Sequence, residues 1–155
     1  MVDYSIFRPR KHQDRLYMKD FADLFARIFI AFIFLFEAVD SILYFRETKE
    51  TLTAYGLTWR QDLLLGTVIF VLVLGAFFVA IGYFSKFGAF LLLLYWLPFT
   101  FIVYSFWNDP ESIKRLHALY FMRNMGVASA LLLLIANGTG KYSVKRLIHV
   151  MRLPK

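Results

Sequence analysis

A chain of 155 residues with 59% hydrophobic residues and a mean hydropathy of +0.57 is too apolar for an ordinary soluble domain, in which about 45–50% of residues are apolar. The absence of cysteine excludes disulfides, thiolate nucleophiles and Cys-ligated clusters. The net charge of +7 is typical of basic residues that flank membrane helices and contact anionic headgroups, so we predict membrane lipids and no nucleic acid as partners.

Four hydrophobic stretches are long enough to cross the roughly 30 Å hydrocarbon layer as helices of about 20 residues. We place them at 24–45, 63–84, 87–107 and 117–136. The predicted fold is therefore all-α, an integral membrane four-helix bundle with short hairpin connections. Residues 1–23 are predicted to form a polar, interfacial N-terminal segment, 24–137 the membrane domain and 138–155 a basic amphipathic tail.

The first predicted span carries two acids, Glu37 and Asp40, at positions where lipid-facing residues are apolar. They are three residues apart and therefore share one face of a helix. Arg27 lies near the other end of this span. We expect its side chain to reach back to the headgroups, and a buried functional charge is the less common alternative.

The connection to the second span, 46–62, has mixed charge and is predicted to be a loop. Within it, Thr58 and Gln61 have the capping-box spacing, which predicts Thr58 as the N-cap of the second span. That span contains Ala76 and Ala80, two small residues four apart, which permit close approach of another helix.

The third span contains Pro98, which removes a backbone donor and predicts a kink. A kink there makes Trp96 and Pro98 candidates for lining a cavity, although a simple packing kink is the more common reason for such a proline. Asp109 before Pro110 predicts an acidic N-cap for the fourth helix.

The fourth helix carries a second small-residue face at Gly126 and Ala130. Beyond it, apolar residues in 143–152 recur with helical spacing, which predicts a short helix on the membrane surface with Lys145, Arg146 and Arg152 as interfacial basic residues.

Twelve of the 18 Lys and Arg residues fall on the side of the membrane that holds both termini, when Arg27 is counted there. The positive-inside rule therefore places both termini in the cytoplasm.

Polar residues of the fourth helix lie at a depth similar to that of the two acids. Arg123 is predicted to pair with Glu37 or Asp40, and Asn124 to add hydrogen bonds, because an unpaired ion at that depth costs about 2.5–3.5 kcal/mol on insertion scales. His117 is a further candidate proton acceptor of this polar cluster. A structural salt bridge and a functional site explain the cluster equally well.

Several stretches resemble the DoxX family. They are Phe-Met-Arg-Asn-Met-Gly at 121–126 with the leucines of 131–134, Gly-Thr-Gly-Lys-Tyr-Ser at 138–143, and the hairpin 75–88, while Arg27 matches the arginine that opens the family's first span. The resemblance implies a four-helix protein of the bacterial cytoplasmic (inner) membrane. It also implies a link to quinone-coupled oxidoreductase subunits and other membrane complexes.

Three functions follow as hypotheses. The first is a non-catalytic membrane subunit or partner-binding module, in a complex with other membrane proteins or as a homo-oligomer, because no catalytic constellation, metal site or intrinsic cofactor is recognisable in the sequence. The second is a component of a membrane oxidoreductase that binds a quinone or another lipophile, with buried carboxylates as proton acceptors. The third is a small proton-coupled transporter, for which an internal repeat is missing.

Overall fold

The computed structural model describes residues 10–138, with the side chains of residue 18 and of 20–138. Five α-helices follow one another in this range: α1 (Arg10–Leu43), α2 (Phe45–Ala54), α3 (Gln61–Ile81), α4 (Ser85–Val103) and α5 (Glu111–Asn137). A short 3-10 helix, Phe106–Asn108, lies between α4 and α5. The predicted tail helix, with Lys145, Arg146 and Arg152, lies outside the described residues.

The predicted all-α membrane fold is confirmed by the length and apolarity of these helices. Three segments, Gln61–Ile81, Ser85–Asn108 and Glu111–Asn137, are each long and apolar enough to cross a membrane. Asp20–Leu43 and Phe45–Ala54 meet the same condition together but are bent by 91° at the break between them. By length and composition the chain therefore has three spans, or four when the bent pair counts as one.

The long helices pack in the order α1, α3, α4, α5, and α1 makes few contacts with α5. Each contributes a fully buried apolar side chain to the core: Phe34, Leu72, Leu92 and Leu131. Large apolar side chains also cover the outside of the bundle, as expected for helices that face lipid rather than water.

The hairpin between α3 and α4 brings two glycines into direct contact. A Cβ atom on Gly88 would lie 2.7 Å from the backbone oxygen of Gly75, and one on Gly75 would lie 3.2 Å from that of Gly88. Gly82 ends α3 in the left-handed conformation, with φ of 74°, which glycine adopts without strain. Of the predicted small residues, Ala76 is fully buried in the core, whereas Gly126 has no atom near the position of a Cβ.

The predicted loop at 46–62 is wrong in its first half, where the structure has α2. Its sequence, Phe-Arg-Glu-Thr-Lys-Glu-Thr-Leu-Thr-Ala, carries four charged residues that cannot continue a span into hydrocarbon. It retains helical spacing of Phe45, Thr48 and Leu52, so the chain bends at Tyr44 and continues as an amphipathic helix. We call this end of the bundle the α2 end, and the opposite one the hairpin end.

Two predicted helix starts differ from the structure. Arg60, with φ of 42°, is the N-cap of α3, and the Gln61 side chain instead bonds back to α2 and its exit, donating to Thr53 Oγ1 at 2.7 Å and to the Leu57 oxygen at 2.8 Å. Thr58 is therefore not the cap. Pro110 is the N-cap of α5, one residue later than predicted.

Arg27 is fully buried, so the expectation that it reaches the headgroups is wrong. Its Nε donates to Asp23 Oδ2 at 3.0 Å, one helical turn earlier on α1. A charge-assisted hydrogen bond to a carboxylate offsets part of the cost of burying a guanidinium.

Candidate functional site

A cavity of about 690 Å³ lies at the α2 end, between α1, α2, α3 and α4. This volume is in the range of small-molecule sites in proteins. Its wall is formed by Glu37, Asp40, Ser41, Tyr44, Glu47, Thr48, Thr51, Leu52, Tyr55, Leu57, Leu64, Leu65, Val68, Leu94, Tyr95, Pro98, Phe99, Ile102, Val103 and Tyr104.

Helix α2 is the roof of this cavity, and one of its faces is turned toward it. The lining residues of Tyr44 to Tyr55 are spaced alternately by three and one along the sequence, which places them on a single helical face. The spacing runs through Tyr44, Glu47, Thr48, Thr51, Leu52 and Tyr55. The bend between α1 and α2 therefore turns a whole helix face inward.

Two long-range contacts hold the roof in place. The Tyr55 hydroxyl donates a hydrogen bond to the Val103 backbone oxygen at 3.2 Å, which joins the end of α2 to the end of α4. Lys49 Nζ lies 2.6 Å from Asp62 Oδ1, which joins α2 to the first turn of α3. Both contacts are exposed to the surroundings of the protein. An exposed ion pair such as that of Lys49 with Asp62 contributes about 0–1 kcal/mol.

Three carboxylates line the cavity: Glu37 and Asp40 from α1, and Glu47 from α2. Ser41, which is buried and follows Asp40 on α1, also lines the cavity. Within residues 20–138, no Lys or Arg side chain forms an ion pair with any of the three. The polar part of the wall therefore carries negative charge whenever these groups are ionised.

Another part of the wall is aromatic and belongs to α4 and to Tyr104, which follows it. The rings of Tyr95 and Phe99 are stacked with centroids 5.5 Å apart, and Phe99 meets Tyr104 edge to face at 6.0 Å. Pro98 also lines the cavity, whereas Trp96, the other predicted lining residue, does not. The Trp96 ring instead packs edge to face against Phe34 of α1 at 5.1 Å.

Asn124 belongs to a buried network between α4 and α5 and makes no hydrogen bond with the acids. Its Nδ2 donates to Thr100 Oγ1 at 3.3 Å, and its backbone oxygen accepts a hydrogen bond from Trp96 Nε1 at 3.0 Å. The Thr100 hydroxyl donates in turn to the Trp96 backbone oxygen at 2.7 Å. Buried polar groups that are satisfied in this way specify one arrangement of the two helices.

The hypothesised ion pair of Arg123 with Glu37 or Asp40 is absent among the described residues. The Arg123 guanidinium lies over the Tyr120 ring, 4.8 Å from its centroid, although Arg123 is near enough to Glu37 for a through-space electrostatic interaction. The reason is the packing order, because α1 and α5 are separated by α3 and α4 over most of their length.

His117 lies apart from the acids as well. Its Nδ1 donates to Asp109 Oδ2 at 2.7 Å, and its ring meets Tyr104 edge to face at 5.7 Å. The five residues of the predicted polar cluster thus divide into two acids at the cavity and three residues of α5 with partners of their own.

Sequence reasoning missed the residues of α2 and the tyrosines of α4. A signal for the first group exists in the spacing of Tyr44, Thr48, Thr51 and Tyr55, which follows one face of a helix. The tyrosines carry no comparable signal, because aromatic residues make up 19% of the chain and occur in every span.

The comparisons with known proteins identify a family for this region. A DoxX family model matches residues 22–105, which is more than half of the chain. The match contains every residue that lines the cavity and ends before α5 begins. No curated protein and no solved structure matches the chain.

Proposed function

The chain belongs to the DoxX family, and from this premise we propose that it is a non-catalytic membrane protein that binds a lipophilic small molecule in the cavity at the α2 end. The observation that carries the proposal is the cavity itself, which is large and lies within the part of the chain that defines the family. A quinone, as implied by the family resemblance, is one candidate ligand.

The composition of the wall supports an amphipathic ligand. Leucine and valine side chains of α3 and α4, among them Leu64, Val68 and Leu94, form the apolar part, and carboxylates and hydroxyls of α1 and α2 form the polar part. Binding sites for small molecules combine an apolar lining with a few polar groups that orient the ligand. Such a wall suits a molecule with an apolar body and one polar group.

Filling the cavity tests this proposal. Leu94→Trp places an indole at the wall and is expected to weaken binding by at least about tenfold, because the ligand and the indole compete for the same space. The measurement is equilibrium dialysis of the purified protein in detergent against two probes, a short-chain quinone and tetraphenylphosphonium.

Leu132→Trp is the matched control, because Leu132 is 53% exposed and Leu94 60% exposed, and only Leu94 lines the cavity. Wild-type affinity of the control and weakened binding by Leu94→Trp support the proposal. Equal affinity of both variants, or no saturable binding of either probe to the wild type, contradicts it.

We propose further that the protein lies in the bacterial inner membrane with both termini in the cytoplasm, which places the α2 end and its cavity on the outer side. The excess of Lys and Arg at the hairpin end of the bundle and toward the termini supports this orientation.

Single cysteines report the orientation, since the chain contains none of its own. Cysteine in place of Glu50, which is exposed on α2, is expected to react with a membrane-impermeant maleimide in intact cells. Cysteine in place of Tyr83, which is exposed in the hairpin, is expected to react only after the membrane is permeabilised. The reverse pattern contradicts the orientation.

A role as a subunit of a larger complex is our second proposal. It is supported by Gly126 on α5, around which the bundle leaves open space for another helix to approach. Size exclusion after gentle extraction tests it, and a mass equal to that of the lone chain in every detergent contradicts it.

A further inference from the structure

From the chemistry of the cavity wall we propose that the ligand is a lipophilic organic cation, such as an amine or quaternary ammonium or phosphonium compound, held between the carboxylates of α1 and α2 and the aromatic rings of α4. This inference rests on the proposed ligand-binding function and names the class of its ligand.

The charge of the wall is the first argument. Glu37, Asp40 and Glu47 line the cavity, and none of the Lys and Arg side chains that the structure describes does so. Among the described basic residues at this end of the bundle, Lys49 pairs with Asp62, Arg60 lies over the Trp59 ring and Arg123 over the Tyr120 ring. Arg46 precedes Glu47 on α2 and is exposed, and it does not line the cavity. Because the carboxylates of Glu37 and Asp40 lie on a membrane helix and form no ion pair among the described residues, a cationic ligand in the cavity would be stabilised by them.

The hydrogen-bonding groups of the roof point to the same class. The hydroxyls of Thr48, Thr51 and Tyr55 donate their protons to backbone oxygens of Tyr44, Glu47 and Val103, respectively. Their oxygens, like those of ionised carboxylates, are left as acceptors. A roof rich in acceptors favours, on this side of the cavity, a ligand group that is positively charged or donates hydrogen bonds.

The aromatic side chains of the wall are a further argument for a cationic ligand. Faces of tyrosine and phenylalanine attract cations that lie within about 6 Å of the ring centroid, and the attraction is greater when the site is desolvated. Tyr95, Phe99 and Tyr104 form a continuous aromatic surface in the wall of the same cavity. Organic cations with a delocalised charge and an apolar body contact such a surface at a small cost in desolvation free energy.

The dispersion of the acids disfavours a small inorganic ion. In the part of the chain that the structure describes, no three His, Cys, Asp or Glu residues are placed together to hold a metal ion. Glu37 and Asp40 are separated from Glu47 by the bend between α1 and α2. Charges spread along a wall of this size suit a cation of many atoms.

The test compares ions of the same shape and opposite charge. Tetraphenylphosphonium and tetraphenylborate are measured by equilibrium dialysis against the purified protein, with a short-chain quinone as a neutral probe. We expect the cation to bind at least about tenfold more tightly than the anion, and the triple variant Glu37→Gln, Asp40→Asn, Glu47→Gln to abolish that preference.

Glu50→Gln is the matched control, because Glu50 lies on α2 three residues after Glu47 and does not line the cavity. Loss of cation preference in the triple variant and its retention in Glu50→Gln support the inference. If the anion or the quinone binds as tightly as the cation, and Leu94→Trp weakens that binding, the ligand class is overturned while the cavity remains the binding site. If Leu94→Trp weakens the binding of none of the probes, the proposed function falls as well.

Discussion

Gly88→Ala is expected to lower the free energy of unfolding by at least about 2 kcal/mol, because the new methyl group has no room between α3 and α4. Its Cβ would lie 2.7 Å from the Gly75 oxygen and 2.8 Å from the Phe78 Cβ, and neither atom can turn away. The two helices have to separate along their contact, which also loosens the core around Ala76 and Ala89. Thermal unfolding in detergent measures the effect.

Gly126→Ala is the control for this prediction. It makes the same substitution inside a helix at a position with nothing within 4 Å, so only the gain in helix propensity remains, about 0.5–1 kcal/mol in favour of the variant. Opposite signs for the two variants are the expected result. Wild-type stability of Gly88→Ala would contradict the close approach of the two helices.

Trp96→Ala is expected to cost about 3 kcal/mol or more, because it removes the largest side chain at the point where three helices meet. The indole is 5% exposed, packs against Phe34 of α1 and donates to the Asn124 backbone oxygen of α5. Its loss leaves a cavity in the core and leaves that oxygen without the indole donor. Chemical denaturation in mixed micelles measures the difference.

Trp59→Ala serves as the reference, because Trp59 is 78% exposed in the connection between α2 and α3. A change within about 0.5 kcal/mol is expected there. Trp96→Phe keeps the packing against Phe34 and removes only the donor, so it is expected to lose about 1 kcal/mol. Equal effects of Trp96→Ala and Trp59→Ala would show that Trp96 does not join the helices.

The buried network of Trp96, Thr100 and Asn124 supports the wall of the cavity without lining it. These residues lie on the side of α4 that faces α5, whereas Tyr95 and Phe99 of the same helix line the cavity. Helix α5 therefore supports the aromatic wall without contributing to it. This division agrees with a family match that ends at residue 105, before α5.

Hydrophobic run length by itself determined the class of the protein and the helices of the membrane domain. A backbone in hydrocarbon has to satisfy its hydrogen bonds within each segment. A long apolar run therefore forms a helix, whichever helices pack beside it. The acids of the first span were recognised from the sequence as well. The free-energy cost of placing Glu37 and Asp40 in lipid depends on where they lie in the apolar run and not on the packing of other helices.

The tertiary structure alone decided which side chains meet. Depth along a helix predicted that Arg123 would reach Glu37, but depth carries no information on which helices are neighbours, and α1 packs on α3 rather than on α5. The bend at Tyr44 was likewise not predicted. A charged amphipathic segment cannot be distinguished from a loop in the sequence when the surface against which its apolar face packs is unknown. Side-chain contacts between distant segments depend on the packing of the whole bundle, and the cavity exists only because that packing folds α2 over the acids.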